Sequence, residues 1–304
     1  MFFGTPAWAV PSLDALLASD IEVAAVVTNP DRPAGRNLKT RPAPVKVAAL
    51  EAGLEVLQPE SARDPDLHDE LQALAPDVAT VVAYGKILPG ALLRVPDLGF
   101  VNLHFSLLPA YRGAAPVARC LMDGCTETGV SVMVLTEGMD EGPVLATRAV
   151  PVAPDDTAGE LGERLAHLGA PLLVETLAGY AEGGLVPIEQ DHARATYAPK
   201  ISSEERRIDW SQPAERIADL VRALEPAPGA WTSLRGGRVR IARAAAEPDG
   251  GRLVPGEIDA TSGLRVGTGR GVLRVLEVQP AGRRRMGGDE AARGLRPTPG
   301  ERFD

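Results

Sequence analysis

Gly99-Phe100-Val101-Asn102-Leu103-His104-Phe105-Ser106-Leu107-Leu108-Pro109 is the stretch on which the fold turns. Side chains alternate faces along an extended strand. Val101, Leu103 and Phe105 therefore share one face, and Asn102, His104 and Ser106 share the other. Strands of a parallel sheet covered by helices read apolar on both sides. A polar row in such a strand must find partners or look into a cleft. Open α/β sheets bind ligands beyond the carboxyl ends of their strands, so the row closed by Pro109 is expected at such an end. An asparagine amide donates to an oxyanion forming at a carbonyl, and an imidazole exchanges protons near neutral pH. Acyl transfer uses both. The bland alternative, a core histidine satisfied by Asn102, loses weight because two amphoteric groups stand together on one face.

Outward from this strand, strands and helices interleave. Ala79 to Ala83 is strand-like, Ile21 to Val27 is a β-branched run, and Phe2-Phe3 leads into Gly4-Thr5-Pro6. Val10, Leu13, Leu16 and Leu17 follow at helical spacing, Val45 to Leu50 reads as helix, Val130 to Leu135 as strand, and Leu161 to Tyr180 as a long helix. The pattern predicts βαβ units in a doubly wound, mostly parallel sheet. Only three residues precede Gly4, against about five or six in an ordinary strand. The first strand is thus expected to be clipped, with a natural start a few residues upstream.

Beyond Tyr180 the pattern changes. Gly183 to Ser203 is polar and irregular. Ala214 to Leu224 places Ile217, Leu220, Val221 and Leu224 on one helical face. Short strands at Arg238 to Ile241, Leu264 to Gly267 and Val272 to Val278, parted by glycine turns, predict a small OB-like β-barrel. The expected division is a Rossmann-like catalytic domain at 1–184, a linker at 185–204 and the barrel at 205–304. No internal repeat interrupts this order.

At 304 residues, 44% hydrophobic and 24% charged, the chain is sized for about two domains and is neither disordered nor a coiled coil. No apolar run approaches the ~18 residues of a membrane span. Pro6, Pro11 and the missing basic n-region argue against a secretory signal. Cys120 and Cys125 cannot build a disulfide framework and suit a reducing cytoplasm, and no Cys/His spacing suits zinc, so no metal is expected. The net charge of −9 is unevenly divided: 18 basic residues face 14 acidic ones from residue 205 onward. That asymmetry suits an anionic partner on the C-terminal part. There Arg238 and Arg240 share a strand face that Arg235, Arg243, Arg265, Arg270, Arg274 and Arg283 to Arg285 extend. A second basic segment runs from Asp31 to Lys46 and carries Arg32, Arg36, Lys39, Arg41 and Lys46. Pro33, Gly35, Pro42 and Pro44 mark it as an irregular loop able to follow phosphates.

A carboxylate should complete the polar row. Glu137-Gly138-Met139-Asp140-Glu141-Gly142 follows the Val130 to Leu135 strand and is expected at that strand's carboxyl end. Spacing does not choose among the three acids.

Phe3-Gly4-Thr5-Pro6, Pro30 to Arg36, Val82-Ala83-Tyr84-Gly85, Asn102 to Pro116 and Gly138-Met139-Asp140, taken in order, resemble the methionyl-tRNA formyltransferase family over essentially the whole chain. The specific part is Asn-Leu-His followed by Ser-Leu-Leu-Pro-x-x-Arg-Gly-Ala-Ala-Pro. The resemblance implies formyl transfer from 10-formyltetrahydrofolate, a co-substrate, to the α-amino group of methionine on initiator tRNA, without a metal. It puts catalytic roles on Asn102, His104 and Asp140, and folate binding on Ser106, Leu107, Leu108 and Pro109. It also implies that the basic loop contacts the acceptor arm, with Arg36 most tied to tRNA. Backbone groups near Tyr84-Gly85 are suited to read the edge of a pterin. A cytoplasmic monomer is expected.

Two rival readings share parts of this pattern. A formyltransferase acting on a small amine would keep the same trio but has no use for the basic segments. A non-catalytic RNA-binding protein has no use for the trio. A dinucleotide dehydrogenase ranks last, since Gly4-Thr5-Pro6 stands where Gly-x-Gly-x-x-Gly would follow the first strand.

Overall fold

A computed structural model describes the chain except residues 35–38, 249–250, 252 and 299, and the side chains of 32–40. It divides into two compact units, one of Met1–Pro116, Glu127–Pro151 and Gly162–Ala198, the other of Val117–Thr126, Val152–Leu161 and Pro199–Asp304.

Nine strands belong to the first unit: β1 (Phe2–Gly4), β2 (Val26–Val27), β3 (Arg32–Ala34), β4 (Lys39–Arg41), β5 (Val56–Leu57), β6 (Ala79–Val82), β7 (Phe100–His104), β8 (Glu127–Val134) and β9 (Val144–Pro151). Seven of them form one sheet in the order β5-β2-β1-β6-β7-β8-β9. The first five run parallel, β8 runs antiparallel to β7, and β9 antiparallel to β8. The mostly parallel sheet matches the alternation in the sequence, and the Ile21 to Val27 run forms strand only at its last two residues.

Helices α1 (Val10–Leu17), α2 (Pro44–Glu51), α3 (Pro65–Leu74), α4 (Gly90–Leu93), α5 (Pro116–Met122) and α6 (Ala158–Ala181) occur between and after these strands. α3 is capped by Asp64, whose carboxylate accepts from the Asp66 amide at 3.2 Å, satisfying one orphan donor of the first turn. Thr157 and Glu160 form a reciprocal capping box at the start of α6. α6 then packs closely on the apolar face of β7. A Cβ added to Gly169 would lie 2.7 Å from a Leu103 methyl, so only glycine permits this approach. On the same strands, Phe3 meets the rings of Tyr84 and Phe100 edge-on at 5.4 and 5.2 Å.

The basic segment 31–46 is more regular than its prolines suggest. β3 and β4 pair as a hairpin with Arg32 opposite Arg41 and Pro33 opposite Thr40, and Pro44 opens α2. Proline is accepted in a two-stranded edge and at the first helical position, where its missing N–H goes unused.

The second unit holds α7 (Ala214–Ala223), β10 (Ala230–Leu234), β11 (Gly237–Glu247), β12 (Ile258–Asp259), β13 (Leu264–Gly267), β14 (Val272–Pro280), β15 (Met286–Gly287) and α8 (Gly288–Leu295). Its antiparallel sheet runs β10-β11-β14-β13-β12, with β15 on β14. Register shifts between Ile241 and Ala244 mark irregularities in β11, and bulges of this kind bend a strand. The sheet is a curled half-barrel, and Ile217 and Val221 of α7 share its core with Val239, Ile241, Val275 and Val278. Trp210 stacks on Phe303 and donates to Thr232 Oγ1 at 3.0 Å. Among the described residues no helix is long and apolar enough to cross a membrane.

Arg119 grips Glu205 with both terminal nitrogens, at 2.5 and 3.1 Å. These bonds, with the Ser202 amide, hold the Glu205 carboxyl down to about 2 from 4.5. Because the folded value is the depressed one, the stabilisation is complete above pH 4.5 and disappears as pH falls toward 2. Glu205 is more than a third exposed, and screening limits the pair to about 1 kcal/mol. Glu205→Gln is therefore expected to lower urea stability by about that amount at pH 7, with the difference closing in acid. An undiminished difference at the acid end would contradict the pairing.

Candidate active site

β7 ends at His104, whose Nε2 donates to the Tyr111 carbonyl at 2.9 Å. A carbonyl only accepts, so the proton sits on Nε2. The other ring nitrogen, Nδ1, lies 3.7 Å from Asp140 Oδ2, a charge-pairing separation too long for a hydrogen bond. The same oxygen accepts from the Gly113 amide at 2.8 Å. Gly113 has φ +121°, and a Cβ there would stand 2.8 Å from the Ala198 carbonyl oxygen. Asp140 itself is held at φ +50°, a region that aspartate tolerates better than most residues.

The structure brings Asp140 to His104 by a route other than the expected one. Val134 lies opposite Val101, and Ser131 opposite His104, so the carboxyl end of β8 is at the start of β7. Residues 135–143 fold back to deliver Asp140. Glu137 and Glu141 are exposed, and Glu137 pairs with Arg94 at 3.3 Å.

Asn102 shares its strand face with His104, about 6–7 Å along the chain. Both are nearly buried, at 8% and 6% exposure. The Asn102 amide has no hydrogen-bond partner among the described residues. An amide left without a protein partner beside an imidazole and a carboxylate is suited to receive a developing negative oxygen.

Ser106 is buried and tied into the turn that follows. Its hydroxyl donates to the Ala110 carbonyl at 2.6 Å, while Ser131 Oγ donates to the Ser106 carbonyl at 2.7 Å and accepts from the Leu108 amide at 3.0 Å. Leu107, Leu108 and Pro109 are half-buried, and Leu108–Pro109 is a cis bond. Val82 of β6 lies opposite Leu103, so the 83–87 turn leaves the sheet next to His104. Ala83 and Gly85 there have φ +48° and +79° and are exposed, as is Ile87. The Tyr84 ring points the other way into the core, and burial raises its hydroxyl to about 12. Its carbonyl accepts from Asn29 Nδ2 at 2.6 Å, and Asn29 also donates to Thr5 Oγ1 at 2.9 Å, tying together the ends of β1, β2 and β6.

Among the basic candidates, Lys46 is turned inward. Its ammonium reaches Asp31 Oδ2 at 2.7 Å and Gln58 Oε1 at 2.6 Å, and it holds the Asp31 carboxyl below the usual carboxylate range. Arg41 is exposed. Arg36 lies outside the described residues, and only the backbone of Arg32 and Lys39 is described. The expected arginine stripe of the second unit is laced with carboxylates: Arg235 with Glu301, Arg240 and Arg285 with Glu225, Arg243 with Glu160, Arg265 with Glu247, Arg270 with Glu215 and Arg284 with Glu290. Arg238 lies over the Trp231 ring at 3.9 Å, a cation–π contact. Among the described residues no cluster of three or more His, Cys, Asp or Glu is placed to hold a metal.

Arg112, the arginine of the Ser-Leu-Leu-Pro-x-x-Arg motif, is 1% exposed. Gln190, which gave no signal in the sequence, sits in the stretch read as irregular and donates to the Asp140 and Gly142 carbonyls.

The formyl transferase family model matches residues 1–177, and the formyl transferase C-terminal domain model matches 200–296. The methionyl-tRNA formyltransferase of Streptomyces coelicolor is 49% identical over 99% of this chain and 98% of its own. A solved methionyl-tRNA formyltransferase from Clostridium thermocellum superposes with a TM-score of 0.57 at 17% identity, covering 83% of this chain and 94% of that one. WlaRD, a sugar 3N-formyl transferase solved in the presence of dTDP and 5-N-formyl-THF, gives 0.68 at 16% identity over 93% of this chain and 97% of its own. Near-half identity along almost the full length, with family models matching 1–177 and 200–296, makes the chain a member of the methionyl-tRNA formyltransferase family.

Proposed function

We propose that the enzyme transfers the formyl group of 10-formyltetrahydrofolate to the amino group of methionine on initiator methionyl-tRNA. The observation that carries this reading is the unpartnered Asn102 amide on the strand face where His104 meets Asp140. The apolar Leu107-Leu108-Pro109 turn and the exposed backbone of residues 83–87 suit a flat pterin with donors and acceptors at its edge.

10-Formyltetrahydrofolate supplies the formyl carbon, bonded to a nitrogen that takes a proton on leaving. As the methionine amine bonds to that carbon, negative charge gathers on the formyl oxygen. Asn102 donates its amide to this oxygen. His104, anchored at Nε2 by Tyr111, is left with Nδ1 to give a proton toward the reacting atoms. Asp140 steadies the charged ring and accepts the proton that the methionine nitrogen sheds once it has bonded to the formyl carbon. Each proton taken by Asp140 is matched by one given up at Nδ1, so the site returns to its starting state once proton exchange has re-equilibrated the pair.

Residues 1–184 would carry this chemistry, with 185–204 connecting them to a tRNA-holding half-barrel at 205–304. Arg32, Arg36, Lys39 and Arg41 of the basic segment would grip the acceptor arm; Lys46 pairs with Asp31 at the start of that segment. The enzyme would act as a cytoplasmic monomer. Incubating charged initiator tRNA and a panel of small amines with 10-formyltetrahydrofolate, and reading formylmethionine by mass, tests the assignment. Formylation of a small amine in preference to the tRNA would overturn it. Arg41→Ala should raise KM for tRNA several-fold, leave kcat alone, and reduce the log–log salt slope by about 1; an unchanged slope would remove Arg41 from the contact.

A further inference from the structure

A three-residue turn touches both titrating groups of the site: Tyr111 O accepts from His104, and Gly113 N donates to Asp140. Arg112, between them, turns its side chain into the protein. Its Nε and Nη2 donate to Gln190 Oε1 at 3.0 and 2.7 Å, and both terminal nitrogens approach His192 Nδ1 at 3.3 Å. A guanidinium only donates, so the Gln190 amide is oriented by it without ambiguity. The Gln190 NH2 therefore faces the opposite way, and it donates to the Asp140 carbonyl at 2.9 Å and the Gly142 carbonyl at 2.6 Å. Among the described residues neither side-chain partner of Arg112 is a carboxylate. Burying a cation against neutral acceptors is costly, and an apolar pair would brace the turn at less expense if bracing were all that was required.

We propose that Gln190, oriented by Arg112, is a positioning residue that fixes the left-handed Asp140 backbone so that its carboxylate stays at His104. The inference rests on the catalytic role assigned to Asp140 above. Gln190→Glu keeps an acceptor for Arg112 but loses the donors to the two carbonyls; Gln190→Met loses both in nearly the same volume. Single-turnover formylation is compared for each in the wild-type and Asp140→Asn backgrounds. In the wild-type background kcat should fall about 10- to 100-fold, the effect of a misplacement near 1 Å, with KM for both substrates within about threefold. In the Asp140→Asn background the same substitutions should change kcat by less than about threefold, because their target is gone. Equal losses in both backgrounds, or wild-type kcat for both variants, would overturn the inference while leaving Asp140 its role. Wild-type kcat for Asp140→Asn alone would instead overturn the role, and the inference with it.

Discussion

His104→Ala is expected to lower kcat by about 10²–10⁴, the range for a positioned acid–base group, with KM for tRNA and folate within about threefold of wild type. The ring meets the chain through Nε2 at Tyr111 and faces Asp140 through Nδ1. Removing it deletes the imidazole that faces Asp140, while the bond from the Gly113 amide to Asp140 involves no atom of the ring. His104→Gln restores a donor toward Tyr111 but no titrating nitrogen, so it should recover stability and not turnover. Rapid-quench formylation separates the outcomes. A His104→Ala enzyme within threefold of wild-type kcat would show that the imidazole takes no part in the chemistry.

Asn102→Ala should cost about 10²–10³ in kcat, the usual loss for one oxyanion donor, and it should do so without loss of stability. The amide is 8% exposed and has no hydrogen-bond partner among the described residues. Its removal forfeits no hydrogen bond among the described residues. Asn102→Asp should be worse than alanine in turnover, since a carboxylate there both fails to donate and repels the gathering charge. Thermal unfolding and kinetics measured on the same samples check the pair of claims. A strongly destabilised Asn102→Ala would mean that the amide has a structural partner after all.

The parallel sheet was legible because βαβ periodicity is local: each strand and helix announces itself within about ten residues. The polar row on β7 was legible for the same reason, as alternation along a single strand. The direction of β8 was not. Nothing within Val130 to Leu135 distinguishes a strand added parallel from one added antiparallel at the sheet's end, and the route to Asp140 was misjudged accordingly. Proline content misled the reading of 31–46, because Pro33 and Pro44 sit at positions where a missing donor is harmless. The carboxylates that pair with the arginine stripe were only partly legible, because some come from distant positions; Arg235 and Glu301 are 66 residues apart. Gln190 was invisible for that reason too: it stands 78 residues from Arg112, and the motif that holds Arg112 does not say what its side chain meets. Their relation exists only once the chain from 188 to 198 runs back along the first unit.

The turnaround between β8 and β9 makes chain length itself a determinant of charge placement. Residues 135–143 leave the sheet at the far end of β7 and must span back to its tip. One residue of extended chain covers at most ~3.3–3.6 Å, nearly the whole 3.7 Å gap between His104 and Asp140. A single deletion in this turnaround is thus as large as the distance it sets, whereas most surface turns absorb such changes without consequence. Insertions and deletions here should behave like active-site substitutions, although most of the affected residues never meet a substrate.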